Sequence, residues 1–127
     1  MISFIVCDGD LGLEISKVTN GSITASSHLG KGYEPWNARY NRHYGKGAWC
    51  SRDNKRDEFI EVDLKRIHVI SRVAVQKKMK TSPDDAVGEA WVTKFVIGYS
   101  EKGSNWFEYS EGAGVKVRYK IGRAGFI

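Results

Sequence analysis

Hydrophobic and polar residues alternate along this chain in short runs, and each run closes in a turn containing Gly or charged residues. Phe59-Ile60-Glu61-Val62-Asp63-Leu64 is one β-rich run. A second follows at once, in which Val69, Ser71, Val73 and Val75 alternate with Ile70, Arg72, Ala74 and Gln76, so that residues 65–68 are a tight connection. Further on, Phe95, Ile97 and Tyr99 share one face. The polar turn 100–104 then leads into Asn105-Trp106-Phe107-Glu108-Tyr109, a hairpin signal. A last alternation offers Val115, Val117, Tyr119 and Ile121 to one side and basic residues to the other, a strand with one wet face. No window sustains the three-to-four spacing of an amphipathic helix free of Gly and turn residues. The pattern predicts an all-β domain.

Two long stretches, 28–44 and 77–90, carry no clean period. Loops of that length in a compact domain are usually functional or mobile, which makes them the place to look for a site. The length of 127 residues suits one domain, and 41% hydrophobic residues with 14 Gly and 2 Pro argue against disorder or a Pro-rich linker. The opening Met1-Ile2-Ser3-Phe4-Ile5-Val6 reads either as the remnant of a leader or as a first strand, and no stretch is long and apolar enough for a transmembrane segment.

Charge changes the picture only slightly. Twenty Lys and Arg against 15 Asp and Glu give a net charge of +5, which suits anionic lipid, sulfated glycan or nucleic acid alike and selects none of them. Lys31, Arg42, Lys46, Arg52, Lys55, Arg56, Lys77, Lys78 and Lys80 fall in loop-like stretches, where a solvated face is the commoner reading. Chemistry is equally sparse. Cys7 and Cys50 form no zinc or redox motif, and His28, His43 and His68 show no metal-ligand spacing. There is no Gly-x-Ser-x-Gly, and a nucleophile pair of Cys50 with His43 matches chance better than catalysis. Asp84-Asp85 after Pro83 is most simply a solvated turn. No catalytic residue, cofactor or metal is assigned.

Taken together, several segments resemble the discoidin family, also called the coagulation factor V/VIII type C domain. They are Leu11-Gly12-Leu13-Glu14 with Ile23-Thr24-Ala25-Ser26-Ser27, Ala38-Arg39-Tyr40-Asn41, Gly47-Ala48-Trp49, the run 59–64, Trp91-Val92-Thr93-Lys94-Phe95, and Tyr99-Ser100 followed by Asn105-Trp106. Each is weak alone; their order and spacing are specific. The resemblance implies one antiparallel jelly-roll β-sandwich over 7–127, with 1–6 a short apolar N-terminal segment, and three protruding loops, or spikes, at one end. These fall at about 28–33, 44–47 and 77–90.

The resemblance also implies what the domain does: it is an extracellular, non-catalytic binding or adhesion module, part of a secreted or membrane-anchored protein. Its partner is a cell-surface glycan, an anionic phospholipid or an extracellular protein, and not nucleic acid. A soluble galactose-type lectin and an inactive truncated fragment are the alternatives. The candidate ligand-binding residues are His28, Leu29, Lys31, Tyr33, Tyr44, Lys46, Met79 and Lys80. Leu29, Tyr33 and Met79 supply apolar contact, while Lys31, Lys46 and Lys80 meet phosphate or sulfate. The first spike lacks paired Trp residues, which weakens the lipid reading. Trp36, Trp49, Trp91 and Trp106 coincide with family framework positions and read as core anchors. Arg39 and Asp63 read as buried or partly buried polar framework residues.

The match fades after about Lys116, so the chain reads as a jelly roll lacking its final strands. Family members close with a Cys that pairs with the one near their start, and Cys7 holds that first position. Cys50 borders the spike end instead, so Cys7 and Cys50 are not expected to bond to each other.

Overall fold

The computed structural model describes residues 18–39, 44–53, 55–67, 76–92, 95–110 and, as backbone, 120–125. Among these residues five strands form the framework: β1 (Ile23–Ala25), β2 (Ile60–Val62), β3 (Val96–Ser100), β4 (Phe107–Glu108) and β5 (Lys120–Gly125). Two 3₁₀ turns, Asn20–Ser22 and Pro35–Ala38, are the remaining regular elements, and there is no α-helix among the described residues. All the strands pair antiparallel in one sheet of order β1-β2-β5-β3-β4. The all-β reading of the alternating runs holds.

Period-two burial explains the first ladder. Ile23 faces Val62 and Ala25 faces Ile60, so the apolar positions of both strands share the inner face, while Thr24 opposite Glu61 turns outward. Ile60 is 0% exposed, and it joins Ile23, Val62, Leu64, Val18 and Ala48 in the core around Trp49. The Trp49 indole is fully buried and its Nε1 donates to the Ser27 carbonyl at 2.8 Å, which satisfies the ring's polar atom at the base of the first spike. Arg39 is buried as well. Its guanidinium donates to the Val18 carbonyl at 2.7 Å and to Asn20 Oδ1 at 2.8 Å, the framework role expected of it. Asp63 is half-buried and caps the turn at Lys65, whose amide donates to its Oδ1 at 2.8 Å.

The hairpin expected across 95–109 is present, with Gly98 opposite Glu108 and Tyr99 opposite Phe107. The Tyr99 and Phe107 rings stack at 5.6 Å. The inner face of β3 carries small residues, Gly98 and Ser100, and the aromatic side of the hairpin faces outward. β5 lies past Lys116, where the resemblance is expected to fade, yet it pairs with both β2 and β3. It pairs with β2 at Glu61–Gly122 and with β3 from Val96–Gly125 to Ser100–Lys120. Between Ile97 and Tyr99 the register shifts by one residue on β5, a bulge that bends this strand.

The run 69–75, residues 1–6, Cys7, the motif 11–14, residues 40–43 and the alternation 115–119 lie outside the described residues. Cys50 is a half-buried free cysteine, and burial pushes its thiol upward.

Candidate functional site

The three spikes are shaped by turns that their glycines permit. In the first, the Tyr33 amide donates to the Gly30 carbonyl at 3.0 Å, and Gly32 takes φ 93° at the third position, a type II turn that puts exposed Lys31 at the tip. In the second, the Gly47 amide donates to the Tyr44 carbonyl at 2.8 Å across a turn whose first central residue, Gly45, has φ 57°. In the third, paired backbone bonds between Lys78 and Ala90 clamp the base, and the turn 82–85 with Pro83 at its second position forms the tip.

These loops are bound to one another. Leu29 donates its amide to the Cys50 carbonyl at 2.9 Å, and Lys46 donates its own to the Gly32 carbonyl at 2.8 Å, which joins the first spike to the second. Asn37 reinforces this joint, since its Nδ2 donates to the Gly32 carbonyl at 3.0 Å and to Glu34 Oε2 at 2.8 Å. Lys46 Nζ crosses to the third spike, donating to Ser82 Oγ at 3.0 Å and Asp84 Oδ2 at 2.6 Å. Lys46 and Ser82 hold the exposed Asp84 carboxyl down at about 2.

A buried polar network ties the first spike to the third. The Asp85 carboxylate accepts from Lys78 Nζ, from Tyr33 Oη at 2.7 Å, from Thr81 N at 3.0 Å and Oγ1 at 3.1 Å, and from Gly88 N at 3.2 Å. Lys78 Nζ also donates to the carbonyls of Met79 and Gly88 at 2.9 and 3.1 Å, and Tyr33 Oη accepts from Val87 N at 3.3 Å. Burial pushes the Asp85 carboxyl up, but Lys78, Tyr33 and the other donors outweigh it and hold it far below the usual carboxylate range. Burial first, and then the bond to Asp85, raises the Tyr33 phenol.

This network corrects several expectations. Tyr33 is 5% exposed and therefore is not a contact residue at a tip: its ring packs inward and its hydroxyl reaches Asp85. Asp85 is not a solvated turn residue and Lys78 is not on a solvated face, because each neutralises the other inside the third spike. The tryptophans divide as well. Trp49 is core and Trp106 half-buried, but Trp36 and Trp91 are 39% and 63% exposed. Lys77 lies over the Trp91 ring at 5.5 Å, so this indole forms part of the surface beside the third spike.

Leu29, Tyr44 and Met79 stand outward on the three spikes, and Lys31 and Lys80 are exposed beside them. His28 is half-buried, with Nδ1 3.3 Å from the Gly30 carbonyl oxygen, and the Lys46 side chain is only 19% exposed. A groove of about 500 Å³ runs beside the first two spikes, with Trp36, Tyr44, Glu34 and Asn37 among its walls. Sequence reasoning passed over Trp36 and Trp91 because their framework match pointed inward; only their exposure sets them among the surface residues. Among the described residues no group of His, Cys, Asp or Glu is arranged to hold a metal, and no helix is long and apolar enough to cross a membrane.

The F5/8 type C domain profile matches residues 22–123. Coagulation factor V of Bos taurus is 32% identical over 109 residues, 83% of this chain, and that of Homo sapiens is 34% identical over 107 residues, 81% of it. The omicarin-C non-catalytic subunit, a venom prothrombin activator of Oxyuranus microlepidotus, is 32% identical over 106 residues, again 81%. This chain spans only 5 to 7% of the length of these curated relatives. The profile match and the shared identity converge with the antiparallel sheet: the chain belongs to the F5/8 type C family of discoidin-like β-sandwich domains.

Proposed function

We propose that this domain is a non-catalytic recognition module that docks on an anionic phospholipid surface through exposed residues of its spike loops. The observation that carries this reading is the joint exposure of Leu29, Tyr44 and Met79, at 43%, 56% and 52%, on three cross-bonded loops flanked by Lys31 and Lys80. A rigid sheet holds such loops in fixed relative positions, so apolar insertion and attraction to lipid phosphate act together. Similarity to coagulation factor V and to a subunit named as non-catalytic supports a binding role without chemistry.

Sedimentation with phosphatidylcholine vesicles, with and without phosphatidylserine, tests the reading at two salt concentrations. Binding requires the anionic lipid and weakens as salt rises. Leu29→Ala and Met79→Ala each weaken it by roughly tenfold, as expected for an apolar side chain that leaves water, with unchanged thermal unfolding. Parent-like binding by both variants on every surface the parent binds places the site elsewhere on the sandwich. A glycan reading is favoured by one feature, the groove where the exposed Trp36 and Tyr44 rings stand beside Glu34 and Asn37. Aromatic faces with fixed polar groups suit a pyranose. A glycan array run beside the vesicles separates the two.

A further inference from the structure

We propose that Asp84 is an internal competitor for the phosphate that Lys46 is placed to bind, so that a phosphate-bearing ligand seats between the second and third spikes only by displacing this carboxylate. The inference rests on the phospholipid reading above. Lys31 and Lys80 are exposed, whereas Lys46 is mostly covered and its ammonium is already occupied. Its stem is held against the first spike: Lys46 Cγ sits so close to Gly32 that a Cβ there would approach within 2.8 Å, and the Lys46 amide is bonded to the Gly32 carbonyl. The ammonium therefore has a fixed position, bonded to Ser82 Oγ and Asp84 Oδ2.

The two neighbouring carboxylates differ in kind. Asp85 is enclosed and accepts from five donors, so it is part of the framework. The Asp84 side chain is 78% exposed, and its ion pair with Lys46 is of the solvent-facing sort that is weak and screened by salt. If Asp84 swings outward, two donors remain in place. Lys46 Nζ is held by its stem, and Ser82 Oγ stands on a turn fixed by the Asp85 amide bond to the Ser82 carbonyl at 3.1 Å. A phosphate oxygen fits this pair of donors at least as well as a carboxylate oxygen does, and it brings further acceptors. In the resting domain Asp84 thus cancels one of the positive charges that the spike end presents to a membrane, and it raises the anionic lipid content needed for binding.

The test is Asp84→Asn in the full chain, with vesicles as above. The variant is expected to bind phosphatidylserine vesicles about five-fold tighter than the parent, the gain typical of one additional lysine at an anionic surface. That gain disappears when Lys46→Met is added. Glu89→Gln removes another exposed carboxylate of the third spike, one paired with Lys77, and its effect is expected to be the same with or without Lys46→Met. Inorganic phosphate, followed by nuclear magnetic resonance at the Gly32 and Ser82 amides, separates a free phosphate from a lipid headgroup and should shift them at lower concentration in Asp84→Asn. The inference is overturned if Asp84→Asn binds the vesicles no better than the parent, or if the gain survives Lys46→Met. If no variant binds phosphatidylserine vesicles, the phospholipid reading fails and the phosphate titration decides alone: a tighter response in Asp84→Asn supports the competitor, and an unchanged one removes it.

Discussion

Lys78 and Asp85, seven residues apart in the third spike, form an ion pair in which neither side chain is exposed to solvent. Removing one partner leaves an uncompensated buried charge, which typically costs about 3 to 5 kcal/mol. Asp85→Ala should lower the unfolding free energy by about that amount in urea titration. The spike network is predicted to be a determinant of folding before it is one of binding.

The same carboxyl couples stability to acid. Because Asp85 is held far below its unfolded value of about 3.9, its contribution is fully present above that value and is lost as the pH falls below it towards the folded value. Urea midpoints measured from about pH 6 down to about pH 2 should fall steeply in the parent below about pH 4. The slope should be visibly shallower in Asp85→Asn, which starts from a lower stability but has no proton to take up at this position.

Tyr33→Phe tests whether the phenol belongs to the framework. The change deletes one donor to a charged acceptor and leaves the ring in place, a loss of roughly 1.5 to 3 kcal/mol for a bond of this kind. Melting temperature should drop, while vesicle binding at a temperature where the variant is folded should stay near the parent's. A binding loss without a stability loss would return Tyr33 to the contact surface.

Gly45→Ala and Gly103→Ala separate two sources of strain. Both positions have positive φ, 57° and 76°, where a Cβ costs roughly 1 to 2 kcal/mol. At Gly103 a Cβ would meet nothing, but at Gly45 it would lie 2.6 Å from the Gly32 carbonyl oxygen and 2.7 Å from Asn37 Nδ2. Thermal unfolding should therefore show the larger drop for Gly45→Ala. That variant should also weaken vesicle binding, because the joint between the first two spikes is forced apart.

The parts of the fold legible in the sequence are those where burial follows a period of two. Ile60 and Val62 on β2 announce an inner face, and the polar turn after Ser100 announces the hairpin of β3 and β4. Trp49 and Arg39 also took the places that their motif context gave them. The loops were legible as a location and not as an interior. Lys78 and Asp85 sit in a stretch without period, so each reads as a surface charge. Only the third spike's fold, which closes Lys78 onto Ala90 and brings Tyr33 alongside, encloses the pair. The exposure of Trp91 was hidden for the opposite reason, since a large indole in a framework motif suggests a core it does not enter.

Strand β5 has a consequence for how the chain folds. Among the described residues it comes last in sequence and stands in the middle of the sheet, where it lies between the β1–β2 pair and the β3–β4 hairpin. Its partner Glu61 lies far back in the chain, and closing so long a loop costs entropy before any packing is gained. Such high contact order slows folding. On a ribosome β1 and β2 would emerge well before residues 120–125, so the pairing of Glu61 with Gly122 must wait for the synthesis of that distant segment.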